Sequence, residues 1–394
     1  MKLKTLGPNS LLILFGLLLA LVTAEVGLRL VPNRLPPQVI VQLPRKWGPL
    51  RSVEIPQFWA EYQPLWESDP EVREHIKPGL DTVVHGHPEY PVWPIKTEAL
   101  GSQVAGYRDT EPEAPPYAVV LGDSFGFGVG VTQEENWVTL LEQRLEMPIV
   151  NLSQVGASSF HEARIYERDG RSYQPAVVLW LFFQNDLKEN LRFAQWLYPN
   201  RDIQTAGRVP SSFCHTFLHR HLDQVSVTYE WLLYVLRDCQ HVGQTATPTY
   251  EDESLALTFC LDHDICDLGV QAQMLADGWA WTEPVIRAGL EAIEAEGSTA
   301  VFVIVPSKEQ VYEPQYRSVH SLPAAYDIDR LTDPLRQLCR QEKLHCLDLT
   351  EPMREAATNG RQLYFPVDIH WNAAGNQVVA EIVNQYLHQE GLLP

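Results

Sequence analysis

At 394 residues the chain exceeds what one hydrophobic core usually supports, which predicts one large domain with additions or two domains and excludes a small binding module. A 45% hydrophobic content with 11 Trp, 15 Tyr and 13 Phe supplies a sizeable core and excludes wholesale disorder. With 50 acidic against 30 basic side chains, the formal charge of −20 repels phosphate backbones and anionic headgroups, so nucleic acid is excluded as a partner.

Lys2 and Lys4 precede a charge-free stretch from Thr5 to Ala24, almost wholly Leu, Ile, Phe, Val and Ala from Leu11 onwards. A helix of about twenty residues reaches roughly 30 Å, enough to cross a bilayer. Residues 1–31 therefore read as an export signal with a cytoplasmic N-terminus, either a retained membrane anchor or a signal peptide cleaved near Val22-Thr23-Ala24. In both cases the rest of the chain is expected to be extracytoplasmic. Residues 32–116 hold 15 of the 29 prolines, a density that blocks long helices and central strands and predicts an irregular extension. Its Trp47, Trp59, Trp66 and Trp93 require a surface to pack on.

From Tyr117 short apolar runs alternate with amphipathic stretches. Residues 118–121, 149–152, 176–183, 299–305 and 344–347 predict buried strands, and residues 134–146, 159–169, 283–296, 329–342 and 373–388 predict helices. Such alternation specifies a three-layer α/β/α sandwich over residues 117–394, with a parallel sheet of about five strands covered on both faces. The interval 187–278 is too long for a connection and is expected to be an insertion, with an apolar helix over residues 225–236. It is either a lid or a structural elaboration.

Six cysteines fit an oxidising compartment. Cys260 and Cys266, and Cys339 and Cys346, are near enough in sequence to pair locally, leaving Cys214 with Cys239; buried free thiols are the alternative. Cys214, His215, His219, His221 and Asp223 form a short cluster, but no second half of a zinc motif follows, and no metal is expected. Gly126, Gly128 and Gly130 lack the dinucleotide spacing, so no cofactor is expected either.

Ligands bind at the carboxyl ends of strands in an open parallel sheet. There the first strand runs into Gly122-Asp123-Ser124-Phe125-Gly126, which makes Ser124 the candidate nucleophile. The second ends near Gly156, where a backbone N–H can approach a substrate oxygen. The third reaches Asn185, whose amide can join the Ser124 and Gly156 N–H groups as donors to a developing oxyanion. Near the C-terminus, Asp368-Ile369-His370-Trp371 places a carboxylate two residues before an imidazole, the arrangement that orients a histidine as general base.

These blocks, in this order, resemble the SGNH, or GDSL-type, hydrolase superfamily, and Gly106-Tyr107-Arg108-Asp109 resembles the lead-in of its membrane-anchored bacterial members. The resemblance implies a flavodoxin-like fold, a catalytic triad of Ser124, Asp368 and His370, and an oxyanion hole of Ser124, Gly156 and Asn185. Phe183 stands where the family usually has a glycine before its Asn-Asp pair, which implies a narrowed site. The Asp-x-His-Trp spacing is similar to that of bacterial polysaccharide O-acetyltransferases. The implied activity is a serine esterase or O-acyltransferase working through an acyl-enzyme on ester, chiefly O-acetyl, groups of an extracytoplasmic glycan or a small ester. A lipid-acyl esterase and a catalytically silent glycan-binding or assembly protein are the alternatives.

Overall fold

The computed structural model describes residues 16, 19–28, 57–198, 248–260, 266, 268–320, 322 and 326–394. The chain divides into two compact units, residues 1–60 with 208–245, and residues 61–207 with 246–394. In the first, residues 19–28 are helical and leave Leu19, Leu21, Val22 and Val26 exposed. Among the described residues no helix is long and apolar enough to cross a membrane. Trp47, the 214–223 cluster, Cys239, the expected helix 225–236 and most of the N-terminal apolar stretch lie outside the described residues.

In the second unit the Pro-rich extension is more regular than its composition predicts. It forms three antiparallel two-stranded ribbons, β1 (Trp66–Asp69) with β2 (Arg73–Ile76), β3 (Asp81–His85) with β4 (Val92–Lys96), and β5 (Glu98–Ala99) with β6 (Gly106–Tyr107). A two-stranded ribbon has only edges, so Pro94 can sit inside β4 where a central strand would reject it.

Five parallel strands follow: β7 (Ala118–Leu121), β8 (Ile149–Asn151) and β9 (Val177–Phe183), then, after a small hairpin of β10 (Thr249–Glu251) and β11 (Ala256–Thr258), β12 (Thr299–Val305) and β13 (His345–Asp348), in the spatial order β13-β12-β9-β7-β8. Every residue of β9 is buried, as a central strand covered on both faces demands. The register aligns the carboxyl ends: Leu121 lies opposite Trp180, Val305 opposite Phe183, and Asp348 opposite Ile304. Polar residues that follow these strands therefore emerge along one edge of the sheet.

The helices that frame the sheet include α1 (Ser124–Phe127), α2 (Trp137–Leu145), α3 (Ser159–Ile165), α4 (Asp186–Leu197), α5 (Trp279–Ala295), α6 (Lys308–Val311), α7 (Asp333–Glu342), α8 (Thr350–Ala357) and α9 (Ala373–Gln389). One layer is built where α2 packs against α9, the other where α3 and α4 pack against α5. Predicted boundaries move where caps decide them. Asn136 accepts from the Val138 N–H at 2.8 Å and starts α2 later than its charge pattern implied. Helix α4 occupies the start of the interval expected to be an insertion. Disulfides join Cys260 to Cys266 and Cys339 to Cys346.

Helix α5 approaches the sheet over Trp180, whose indole Nε1 donates to Glu162 Oε2 on α3 at 2.8 Å. A Cβ at Gly289 would lie 2.3 Å from the Trp180 ring. Gly289→Val should accordingly lower stability by about 1–3 kcal/mol through overpacking, read as a shift of the urea unfolding midpoint.

Candidate active site

Strand β7 passes through Gly122 into Asp123, whose side chain accepts from the Phe125 N–H at 2.9 Å and so caps the single turn of α1. Ser124 opens that turn. Gly128 closes it in the left-handed region, at φ 79°. Gly126 is needed for a different reason: a Cβ there would lie 2.1 Å from Ser153 Oγ on the neighbouring strand end. The Gly126 carbonyl accepts from the amides of Asn136 at 3.1 Å and Asn151 at 2.9 Å, and Trp137 Nε1 donates to the Phe125 carbonyl at 3.2 Å. The serine is thus carried on a turn held by two other elements.

Beyond the sheet edge a turn over residues 365–370 presents the Asp-x-His pair. Tyr364 and Trp371 form a bridge beneath it, and the Phe365 N–H donates to the His370 carbonyl at 3.0 Å. His370 Nε2 lies 2.7 Å from Ser124 Oγ, and His370 Nδ1 lies 2.5 Å from Asp368 Oδ1. The same carboxylate oxygen accepts from the His370 backbone N–H at 2.9 Å. Tyr90 Oη donates to the other oxygen at 3.1 Å, and His87, stacked on Tyr90, sets its Nε2 3.9 Å away. Burial pushes the Asp368 carboxyl up, but the imidazole and these donors outweigh it and hold the group well below the usual carboxylate range. With Asp368 a pure acceptor, His370 keeps its proton on Nδ1 and turns the Nε2 lone pair to the serine.

Two charged side chains grip the turn. Glu89 accepts from the Val367 and Asp368 N–H groups, each at 2.6 Å. Lys308, at the start of α6, donates to the carbonyls of Thr258, Pro366 and Val367 at 3.2, 3.0 and 3.0 Å. Burial pulls this lysine down to about 8. Thr258 on β11 completes the grip by donating its N–H to Pro366 at 2.7 Å.

Gly156 sits beyond β8 at φ +73°, with open space where a Cβ would project. Gln154 in the same segment donates its N–H to the Gly122 carbonyl at 2.9 Å, which ties this turn to the serine loop. Asn185 stands at the N-terminus of α4. Its amide interacts with Asp123, the neighbour of Ser124; burial pushes that carboxyl up to about 6, against the pull of the Phe125 N–H and Asn185. Phe183 does not narrow an opening. Its ring is buried 4.8 Å from Phe125, which in turn lies 5.1 Å from His370 and 4.7 Å from Trp371, so the bulk that replaces the family's glycine supports the imidazole from behind.

Sequence reasoning missed Glu89, Tyr90 and Lys308, for which no local pattern exists. It noticed Gly106-Tyr107-Arg108-Asp109 without a role. Tyr107 bonds to Asp169. The buried Arg108 guanidinium donates to the carbonyls of Phe127, Gly128, Val131 and Pro94 at 3.2, 2.6, 2.6 and 3.1 Å, holding the chain that leaves α1. Asp109 accepts from the Asn151 N–H at 2.7 Å. Cys260, Cys266 and Glu309 cluster closely enough to hold a metal ion, but the two sulfurs are joined to each other, which leaves one carboxylate.

Residues 270–393 match the family model of the SGNH hydrolase-like domain of acetyltransferase AlgX, a stretch that contains Asp368 and His370 but not Ser124. A probable alginate O-acetylase AlgJ of Pseudomonas putida is 30% identical over 109 residues. That match spans 28% of this chain and 27% of the relative's length. Similar solved structures include TesA (16% identical, TM-score 0.38, covering 70% of this chain and 99% of that one) and the acetyl xylan esterase AlAXEase (13%, 0.36, 68% and 97%). A variant of the acetylxylan esterase Axe2 of Geobacillus stearothermophilus is similar too (11%, 0.34, 71% and 96%). The resemblance read from the motifs is matched by the SGNH hydrolase-like family model over residues 270–393, the stretch that carries the Asp-x-His block.

Asp109 supplies a pH test. Burial pushes its carboxyl up from 3.8 to about 7. An acid whose folded-state pKa is raised binds its proton more tightly in the native state, so its penalty appears as pH rises between those two values. Asp109→Asn should therefore gain stability relative to wild type between pH 4 and pH 7.5, measured as the difference in urea midpoints. A difference independent of pH would contradict the assignment.

Proposed function

We propose, with the match to the SGNH hydrolase-like domain of acetyltransferase AlgX as premise, that this chain is a serine esterase or O-acyltransferase that forms an acyl-enzyme on Ser124. The observation that carries this reading is the continuous chain from Asp368 through His370 to Ser124 Oγ. The serine hydroxyl gives its proton to His370 Nε2 as Oγ attacks the ester carbonyl, and Asp368 stabilises the imidazolium that forms. The N–H groups of Ser124 and Gly156 and the amide of Asn185 are the donors assigned to the oxyanion. Collapse of the tetrahedral intermediate expels the alcohol, which takes the proton back from His370. Water or a sugar hydroxyl then repeats the sequence on the acyl-enzyme. A binding protein that never reacts has no use for a buried carboxylate that aligns an imidazole on a hydroxyl.

The acyl group assigned is acetyl and the substrate an O-acetylated glycan. The support is the Asp-x-His-Trp block, the acetyltransferase family match and the O-acetylase relative. Work outside the cytoplasm is proposed from the apolar N-terminal stretch behind Lys2 and Lys4, and from the two disulfides, which persist in oxidising compartments. Retention by a single membrane-spanning helix is proposed from the same stretch, whose described part exposes Leu19, Leu21, Val22 and Val26.

Ser124→Ala should abolish both turnover of p-nitrophenyl acetate and covalent labelling by a serine-reactive phosphonate, followed by absorbance and intact-protein mass. Unchanged turnover would defeat the acyl-enzyme. Asn185→Ala should lower kcat by about 10²–10³, corresponding to about 2.7–4 kcal/mol for a lost oxyanion donor, while leaving phosphonate labelling of Ser124 detectable.

A further inference from the structure

The loop that joins β3 to β4, residues 86–91, brings three side chains together around one carboxylate. Gly86 turns through the left-handed region at φ 87° and donates its N–H to the Pro91 carbonyl at 3.2 Å, which closes the loop. Glu89 accepts from the Asp368 N–H at 2.6 Å, and its own N–H donates to His87 Nδ1 at 3.3 Å. His87 Nε2 faces Asp368 Oδ2 at 3.9 Å. Tyr90 Oη donates to that same oxygen at 3.1 Å, while Oδ1 is taken by His370.

The Tyr90 ring is buried between the two loops that have to meet in the triad. It stacks on the His87 ring at 3.6 Å and stands edge-on to the buried Trp93 at 6.0 Å. Phe365, which opens the turn of Asp368 and His370, lies 5.2 Å away, ring to ring. Gly130, on the chain that leaves the Ser124 turn, has φ +81°, and a Cβ there would lie 2.8 Å from Tyr90 Cδ1 and 2.7 Å from the Phe365 ring. One phenol thus separates the serine loop from the histidine turn. Burial and the charge of Asp368 push its hydroxyl far above the usual tyrosine range, so it stays a donor wherever the ester is turned over.

Building on the acyl-enzyme reading above, we infer that Tyr90 is a positioning residue for that reaction: its ring sets the spacing between the serine loop and the histidine turn, and its hydroxyl fixes the plane of the Asp368 carboxylate. A carboxylate turns about a single bond, and its two oxygens are chemically alike. A donor on each of them leaves one orientation, with Oδ1 aimed at His370 Nδ1. The extension in this way supplies the part that holds a serine, an aspartate and a histidine which all belong to the sheet domain.

Tyr90→Phe keeps the ring and removes only the hydroxyl, whereas Tyr90→Leu removes the ring as well. With p-nitrophenyl acetate, Tyr90→Phe should lower kcat about tenfold and leave KM within about twofold of wild type, because a carboxylate free to turn misaligns the base without altering where the ester sits. Loss of the donor also makes Asp368 more basic and tightens its hold on the His370 proton, so the acid limb of kcat/KM should move to higher pH by about half a unit. The other groups that act on Asp368, namely His87, Glu89, Lys308 and Tyr62, are all retained in the variant. Tyr90→Leu should lower kcat about a further tenfold and slow phosphonate labelling of Ser124 in proportion. If Tyr90→Leu loses its near-ultraviolet circular dichroism, Tyr90→Phe carries the test alone. A Tyr90→Phe kcat within twofold of wild type, or a fall in kcat with the acid limb unmoved, would overturn the hold on Asp368 while leaving Ser124 as nucleophile. A folded Tyr90→Leu no slower than Tyr90→Phe would overturn the spacing. Wild-type protein that neither turns over the ester nor takes the phosphonate would overturn the acyl-enzyme reading itself.

Discussion

The proposed proton transfer between Ser124 and His370 would depend on alignment to within tenths of an ångström, and the imidazole is carried on a turn with no hydrogen-bond ladder of its own. Helices and strands position their side chains through repeated backbone bonds; the 365–370 turn must borrow its rigidity. It does so from three distant segments. Glu89 in the loop between β3 and β4 takes two of its N–H groups, Lys308 at the head of α6 takes two of its carbonyls, and Thr258 on β11 bonds to Pro366. A carboxylate below and an ammonium opposite hold backbone groups of opposite polarity, which fixes the turn against both translation and rotation.

This arrangement explains why the extension and the hairpin belong to the same compact unit as the sheet. Tyr90 and Glu89 come from the extension and reach Asp368 and its neighbours directly. The Cys260–Cys266 bond closes a loop of only a few residues, so its entropic effect on the unfolded chain is small. Its effect is local: Cys260 donates its N–H to Glu309 at 2.8 Å, beside the lysine that grips the turn, two residues beyond Thr258. The bond secures the end of the hairpin where the hairpin meets the site.

The sheet was legible in the sequence because burial on both faces leaves a strand no room for polar residues, and 118–121 and 299–305 were read to their ends. The 344–347 run moved by one residue to His345–Asp348, since β13 is an edge strand and tolerates a polar residue at its end. Helix α1 was not legible as a helix, because a single turn shows no periodicity. The Ser124, Asp368 and His370 positions were legible because each sits in a short block whose spacing is itself the chemistry. Glu89 and Lys308 were not, since their function exists only when residues separated by 278 and 58 positions in the chain meet. The three ribbons of the extension were hidden for a related reason: proline density forbids central strands, yet says nothing against paired edges.

The acidic character of the chain raises a further constraint. A formal charge of −20 would oppose a developing oxyanion if it were expressed near Ser124. Three carboxyl groups that act on one another are buried: Asp123, the chain neighbour of Ser124, with Glu162 and Asp186. Burial, with repulsion from neighbouring acids, pushes Glu162 and Asp186 well above the usual carboxylate range, and burial raises Asp123 as well. The shift favours the protonated, uncharged forms of Glu162 and Asp186. Ser159 Oγ donates to Asp186 at 2.6 Å and Trp180 to Glu162 at 2.8 Å, so neither requires a cation for company. Asp368 lies instead on the far side of His370 from Ser124, where its charge would stabilise the imidazolium of the proposed mechanism. The low-dielectric interior thus separates two kinds of carboxyl: Asp368, held charged where positive charge would appear, and Glu162 and Asp186, pushed towards their neutral forms by burial and by the acids near them.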